Sequence, residues 1–453
     1  MDLTPVSPAS PSRVDALVER VGRDAPRGLV PVDIFADQDI FDAEMDRIFT
    51  RGWIFVAFES EIPDKGDFVQ RKIGRDAVIV TRGSRGEINV LANFCRHRGS
   101  RVCNTDQGNA SHFRCPYHGW VFKNNGDWIG APDKSIAYGK IDQKEWGLLK
   151  APKVESFLGM IFACLDAEGP TLAEYLGGAA WMVRGIMDLH PDGMAVIAPP
   201  DRYHVRADWK TGAENFAGDI YHVSVAHNSV SLVDLAPSFA GLNDLGFNYI
   251  FENGHGFLGH DFDKMFGPDG HLWYYDAGMK ARFDLSRLDD TLRETVEKYP
   301  PVVGTIFPNL SFIRYFGEPS PGKPPAVYTS WRQWQPAGPG KMELWSWQMK
   351  WTFQTEEEAA ASYAAGQYGF GSAGMFEQDD TVVWEGAPDA ARSAWARKEK
   401  AAFNIQMGLE GVGQQKRDMD WTGPGEVWRP GPGEPHARNF YAAWARMMQG
   451  ASQ

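Results

Sequence analysis

Between residues 52 and 90 the chain reads as short apolar runs rich in β-branched and aromatic residues, such as Trp53-Ile-Phe-Val-Ala-Phe58 and Ala77-Val-Ile-Val-Thr81. They are separated by Pro63-Asp-Lys-Gly66 and Arg82-Gly-Ser-Arg-Gly86, which are turn sequences. Further short strands are predicted near Trp120 to Phe122 and Met160 to Cys164, and a helical pattern begins at Leu172. The pattern predicts an all-β module over residues 40–165, a second domain over 166–453, and an N-terminal segment, 1–39, packing with that second domain. In the second domain, helix candidates (Leu172 to Leu189, Glu214 to Val230, Thr355 to Gln367, Pro388 to Gly408) alternate with strand-like runs (His204 to Trp209, Asn309 to Phe316, Ala326 to Gln335, Met342 to Phe353). Mixing of this kind without regular βαβ units predicts an antiparallel α+β domain. Thr422 to Pro435 reads as an irregular arm, Asn439 to Gln449 as a last short helix, and no internal repeat is visible.

Composition adds exclusions. The chain has 453 residues, enough for two domains with substantial cores. A net charge of −13 argues against broad nucleic-acid or anionic-membrane binding. No stretch approaches the roughly 20 apolar residues of a membrane helix. Met1 to Arg13 is Ser/Pro-rich, without a basic start or apolar core, so a cytoplasmic protein is expected. The 17 Trp and 27 Phe exceed what solubility needs and suit apolar cores or pockets. The four cysteines sit in a chain large enough to fold without disulfides, and the spacing of two of them suits metal better than cross-linking.

Two of those cysteines sit in Cys95-Arg-His97 and Cys115-Pro-Tyr-His118, each pair running into a glycine (Gly99, Gly119). A tight loop of this composition can aim one thiolate and one imidazole at a shared centre. In a Rieske [2Fe-2S] cluster two thiolates hold one iron and two neutral imidazoles the other. Structural zinc also takes two Cys and two His, but zinc fingers place Cys with Cys and His with His along the chain, which is not the arrangement here. Cys103 and Cys164 fall outside the pattern and read as small buried hydrophobes.

A second cluster lies in Glu214-Asn-Phe-Ala-Gly-Asp219-Ile-Tyr-His222-Val-Ser-Val-Ala-His227. On a helix His222 follows Asp219 by one turn on the same face. His227 lies five residues on, about 140° away on an ideal helix, so shared ligation requires a local distortion. A helical histidine pair is usually unremarkable. A Rieske cluster carries single electrons only, however, so an acceptor iron of the 2-His-1-carboxylate type, with positions open for O2, is expected in the same chain. Met375-Phe-Glu-Gln-Asp379-Asp380 is the distant carboxylate candidate, with a solvated helix start as its alternative.

Cys95-Arg-His-Arg-Gly99 with Cys115-Pro-Tyr-His-Gly-Trp120 resembles the Rieske domain of the aromatic ring-hydroxylating dioxygenases, and the resemblance extends through the Glu214 to His227 segment, Gly304 to Ser311, Trp334-Gln-Pro336 and the Phe376 to Asp380 run. Ser100 and Tyr117 stand where respiratory Rieske proteins carry a disulfide, implying a low-potential cluster. The resemblance implies a Rieske β module joined to a helix-grip domain, an antiparallel sheet covered by helices. It implies cluster ligands Cys95, His97, Cys115 and His118, and a mononuclear Fe(II) held by His222, His227 and Asp380. Asp219 then bridges His222 to His118 of an adjacent subunit. Asn215, a catalytic candidate with Asp219, matches a position near iron or substrate, as do Phe216, Val223 and Phe376, and Arg314 lies on a strand that lines the pocket in the family.

The implied activity is that of a terminal oxygenase α subunit, using O2 and NADH-derived electrons to cis-dihydroxylate an aromatic ring. The substrate is a bicyclic or polycyclic arene or, if Arg314 meets a carboxylate, an aromatic acid such as phthalate. Ring monohydroxylation is the alternative, and an electron-transfer protein without oxygenase activity a more distant one. A ferredoxin and/or flavin reductase donates electrons, since the chain has no Gly-rich dinucleotide loop. The implied assembly is α3β3 with a small β subunit, or α3.

Overall fold

The computed structural model describes residues 12–233, 238–409 and 415–450. The first eleven residues of the N-terminal segment lie outside them. From residue 12 on, the helix Arg13–Asp24 packs against the C-terminal helix Pro435–Met448, and the strand Leu29–Pro31 pairs antiparallel with Ala402–Asn404.

The β-rich part is built from three small antiparallel sheets. The largest places Ile88–Ala92, Asp76–Arg82, Asp67–Ile73 and Gln107–Asn109 side by side. A second joins Lys153–Phe157, Met160–Cys164 and Ile54–Phe58, and a third joins His112–Arg114, Val121–Lys123 and Trp128–Gly130.

The rest is organised on a nine-stranded antiparallel sheet. Its long central strands, Leu310–Gly317, Ala326–Gly338 and Lys341–Trp351, are buried almost throughout, as strands covered on both faces should be, and they bury polar side chains such as Arg314, Arg332, Gln333 and Gln348 among their aromatic ones. Phe312, Trp331 and Trp347 pack with the helix Ala179–Met187 on one face. Ile313, Tyr328 and Trp334 pack on the other with Phe216 of the helix Trp209–Phe216. The helices Glu356–Phe370, Met375–Trp384 and Pro435–Met448 complete that second layer. Among the described residues no helix is long and apolar enough to cross a membrane. This is the α+β, helix-grip architecture.

Several element boundaries differ from the sequence pattern. The expected helix Glu214 to Val230 ends at Phe216 and resumes only as the short turns Val223–Ala226 and Asn228–Leu232. The cause is tertiary: Asn248 Nδ2 donates to the Gly218 carbonyl at 2.8 Å, and a Cβ at Gly218 would lie 2.2 Å from that nitrogen. The expected helix Leu172 to Leu189 is divided at Gly177 and Gly178, and Pro388 to Gly408 contains two short helices followed by the strand Ala402–Asn404. The irregular arm contributes an edge strand, Glu426–Trp428.

His255, between the strands Gly246–Ile250 and Gly256–His260, ties the sheet to a neighbouring helix. Its Nε2 donates to the Tyr175 carbonyl at 2.8 Å and its Nδ1 accepts the Phe307 N–H at 2.9 Å, which defines the neutral tautomer. Burial lowers its pKa to about 4, against about 6.5 in an unfolded chain. The folded form therefore resists a proton that the unfolded form accepts, and stability is lost as pH falls from about 6.5 towards 4. In His255→Leu two buried backbone groups lose partners, at a cost of about 2–5 kcal/mol. Calorimetry should show a lower Tm, and a smaller loss of Tm between pH 7 and pH 5 than in the parent.

Candidate metal centres

The two Cys-x(n)-His loops are near copies of each other. In one, the Cys95 N–H donates to Ser100 O (2.7 Å) and the Gly99 N–H to Cys95 O (2.9 Å). In the other, the Cys115 N–H donates to Trp120 O (2.7 Å) and the Gly119 N–H to Cys115 O (3.0 Å). Both turns close through a glycine at positive φ, +76° and +73°, a conformation side chains rarely adopt. The His97 and His118 rings are 4.5 Å apart, and His97 stacks on Trp120. Cys95 and Cys115 are buried and unbridged.

Burial, with the Cys115 thiol beside it, pushes the Cys95 thiol up to about 11. A thiolate there needs a cation next to it. The His97 Nδ1 is buried with no partner among the described residues. Two thiols and two imidazoles arranged in this way fit a [2Fe-2S] cluster. Cys103 and Cys164 lie elsewhere, their thiols turned to the carbonyls of Thr105 and Arg51.

The second cluster assembles from both sides of a break in the chain fold. His222 precedes and His227 follows the turn Val223–Ala226, so the interruption of the helix brings together imidazoles that an ideal helix would separate. Asp380, on Met375–Trp384, places Oδ1 at 3.4 Å from His222 Nε2 and 3.3 Å from His227 Nε2. One ligand atom from each of the three lies within 4.8 Å of the others. Asp380 Oδ1 is buried, with no hydrogen-bond partner of good geometry among the described residues. The two imidazoles outweigh burial and hold the Asp380 carboxyl below its usual range.

Each histidine is oriented through its other nitrogen. His222 Nδ1 is 3.2 Å from Asp219 Oδ2, and Asn215 Nδ2 lies 3.3 Å from both that oxygen and the ring nitrogen. Asp219 Oδ1 is itself fixed by the N–H groups of Tyr221 (2.8 Å) and His222 (3.2 Å). His227 Nδ1 is 3.5 Å from Asp379 Oδ2, which also accepts from Ser229. Both Nε2 lone pairs are thereby turned towards Asp380, as a metal requires.

Sequence reasoning treated Asp379 only as a neighbour and missed a buried anchor one turn before Asp380. Glu377 accepts from Arg332 and from the Tyr203 hydroxyl, each at 2.5 Å, and Arg332 lies over the rings of Phe216 and Phe370. The i, i+3 spacing of Glu377 and Asp380 was the available signal.

A cavity of about 110 Å3, open at its mouth, adjoins the three converging side chains. Asn215, Phe216, Val223 and Phe376 line it, together with Leu258, His260, Ile313, Tyr315 and Phe370, which were not foreseen. Arg314 does not line it. Strand alternation gives the cavity Ile313 and Tyr315 and turns Arg314 to the opposite face. There it donates to Thr329 Oγ1 (2.7 Å) and the Ile186 carbonyl (2.8 Å) and lies over Trp273 and Trp351. The expectation of a pocket arginine is thus corrected.

Residues 52–143 match the Rieske [2Fe-2S] domain family, and residues 195–450 the catalytic domain of ring-hydroxylating α subunits. The chain is 46% identical, across 96% of its length and 95% of the relative's, to the N,N-dimethyl phenylurea N-demethylase subunit alpha of Sphingobium sp. (strain YBL2). It is 32% identical, over 95% and 90%, to biphenyl 2,3-dioxygenase subunit alpha of Rhodococcus jostii (strain RHA1). The solved naphthalene 1,2-dioxygenase of Rhodococcus sp., bound to indole, superposes with a TM-score of 0.89 at 33% identity, covering 98% of this chain and 100% of that one. A Rieske cluster, a mononuclear iron and O2 as cosubstrate follow from these two domains. The chain belongs to the Rieske non-haem iron ring-hydroxylating oxygenases, as a large, catalytic α subunit.

Proposed function

We propose that this α subunit oxygenates a neutral aromatic compound bearing an N-methyl group, removing the methyl carbon as formaldehyde. The observation that carries the neutral, aromatic part is the cavity: its described lining is mostly aromatic and branched aliphatic, with Asn215 and three histidines as polar members, and its carboxylates, Asp219 and Asp380, are both engaged with histidine. With Arg314 turned away, no Lys or Arg stands among the described lining residues to meet a phthalate-like acid. The N-methyl part rests on the 46% identity to an N-demethylase subunit, against 32% to a dioxygenase subunit. The balance is one R–N(CH3)2, one O2, two electrons and two protons, giving R–NH–CH3, formaldehyde and water. The second reading is cis-dihydroxylation of an arene, favoured by the likeness to naphthalene dioxygenase, with ring monohydroxylation as its variant.

In this reading Cys95, His97, Cys115 and His118 hold the cluster, and His222, His227 and Asp380 hold the iron. When bound, the two groups supply single electrons and O2 activation respectively. Asp219 and Asp379 keep each Nδ1–H in place so that the Nε2 lone pairs face inward. The Arg332–Glu377–Tyr203 anchor fixes the Asp380 helix, and Phe216, Phe370 and Phe376 exclude water around the substrate ring.

Asp219 also connects His222 to His118 of a neighbouring copy. Exposed aromatics beside both ends, Tyr221 and Tyr117, support a subunit boundary there. The assembly is α3β3 or α3, fed from NADH by a ferredoxin and/or flavin reductase in cytoplasmic catabolism of aromatic compounds.

Incubation with a reconstituted electron supply tests the reaction: N,N-dimethyl-N′-phenylurea should yield formaldehyde and the monomethyl urea. A cis-dihydrodiol from naphthalene, with the urea inert, would establish the second reading, and turnover of phthalate alone would overturn both. Asp219→Asn should retain both metal centres and lose about 10- to 100-fold in product formation rate. Glu377→Gln should lower mononuclear iron affinity by about 10-fold or more, read by metal analysis, with the cluster's paramagnetic resonance signal unchanged.

A further inference from the structure

His255 and His260 stand at the two ends of one strand region, and their environments are opposite. Both ring nitrogens of His255 are hydrogen-bonded. His260 is 5% exposed, lines the cavity shared with His222, His227 and Asp380, and neither of its ring nitrogens has a hydrogen-bond partner among the described residues. Its position is set by the strand: Leu258 and His260, two residues apart, face the cavity together, and the His260 N–H is tied to the Pro300 carbonyl at 3.2 Å. Around the ring stand Phe262 and Tyr315, at centroid distances of 6.4 and 6.0 Å.

A buried imidazole with both nitrogens unpaired carries a free-energy cost that packing alone does not explain, since a leucine of similar volume would suit the same walls. Such a group is what a largely apolar pocket uses to orient a ligand. Burial lowers the pKa of His260 to about 4, so near neutral pH the ring offers one N–H donor and one lone pair and carries no charge. Its natural partner is a neutral polar group rather than an anion.

We propose that His260 is the specificity residue of this oxygenase, donating a hydrogen bond to the carbonyl oxygen of an amide- or urea-type substituent on the aromatic substrate. The proposal rests on the neutral aromatic substrate inferred above and deepens it: His260 separates N-aryl amides and ureas from plain arenes. A hydrocarbon entering the cavity would bury the imidazole unpaired and be discriminated against, whereas a carbonyl satisfies it.

Calorimetric titration of the holoenzyme with phenylurea, which has no N-methyl group to lose, reads recognition apart from reaction. The parent should bind phenylurea more tightly than naphthalene. His260→Leu should weaken phenylurea by about 10- to 100-fold and leave naphthalene unchanged or tighter. His260→Gln, which restores an N–H donor, should recover part of the loss. Unchanged iron content in both variants shows that the site is intact. Equal changes for the two ligands, or no measurable phenylurea affinity in the parent, would overturn the proposal. If the affinities follow His260 while no N-demethylation occurs, the reaction assignment fails and the recognition role stands. Demethylation with phenylurea affinity indifferent to His260 gives the reverse.

Discussion

Two imidazoles and a carboxylate are held within 4.8 Å of one another, with the Asp380 carboxylate buried, and the Asp380 oxygen at their meeting point has no hydrogen-bond partner of good geometry among the described residues. Left to itself such a cluster costs free energy, because buried polar atoms are normally paired. The fold offsets that cost around the cluster rather than within it. The nine-stranded sheet supplies a stiff floor, Asn248 pins the chain at Gly218 so that His222 and His227 can converge, and Arg332 with Tyr203 clamps the helix carrying Asp380. These devices have the character of a site completed by a metal ion.

The two metal sites follow one design at different scales. In the β module two loops of the same hydrogen-bond pattern each offer one thiol and one imidazole, so the candidate ligand set is symmetric and local in sequence. In the catalytic domain the candidate ligands come from segments about 150 residues apart, and orientation is supplied by carboxylates, Asp219 behind His222 and Asp379 behind His227. A loop site of the first kind can sit at the molecular surface, where electrons arrive. The second kind must adjoin a cavity, and its lining places aromatic rings next to the ligands, His227 and Phe376 being 5.2 Å apart.

Legibility in the sequence followed this difference. Cys95, His97, Cys115 and His118 were readable because all the information lies in two short loops of fixed spacing. His222 and His227 were visible as residues, and the distortion they need was foreseen from helix geometry, but its cause, the Asn248 contact, is tertiary. Asp380 could be separated from Asp379 only by resemblance, since adjacent helical carboxylates look alike in sequence although they point about 100° apart. Arg314 failed for a related reason. Leu310–Gly317 carries large apolar side chains on both faces, so its alternation fixes which residues travel together and not which set faces the cavity. Arg332, on the next strand, is the arginine beside the site, and it serves the Asp380 helix rather than a substrate.

The most direct test of two metal centres in one chain is anaerobic iron and sulfide analysis, with paramagnetic resonance after dithionite reduction, on the parent and on His222→Ala. The account predicts about three irons and two sulfides per parent chain, from one [2Fe-2S] cluster and one mononuclear site. In the variant it predicts about two irons with an undiminished Rieske signal. Two irons in both proteins, with clusters fully loaded, would contradict it, because His222, His227 and Asp380 would then hold no iron.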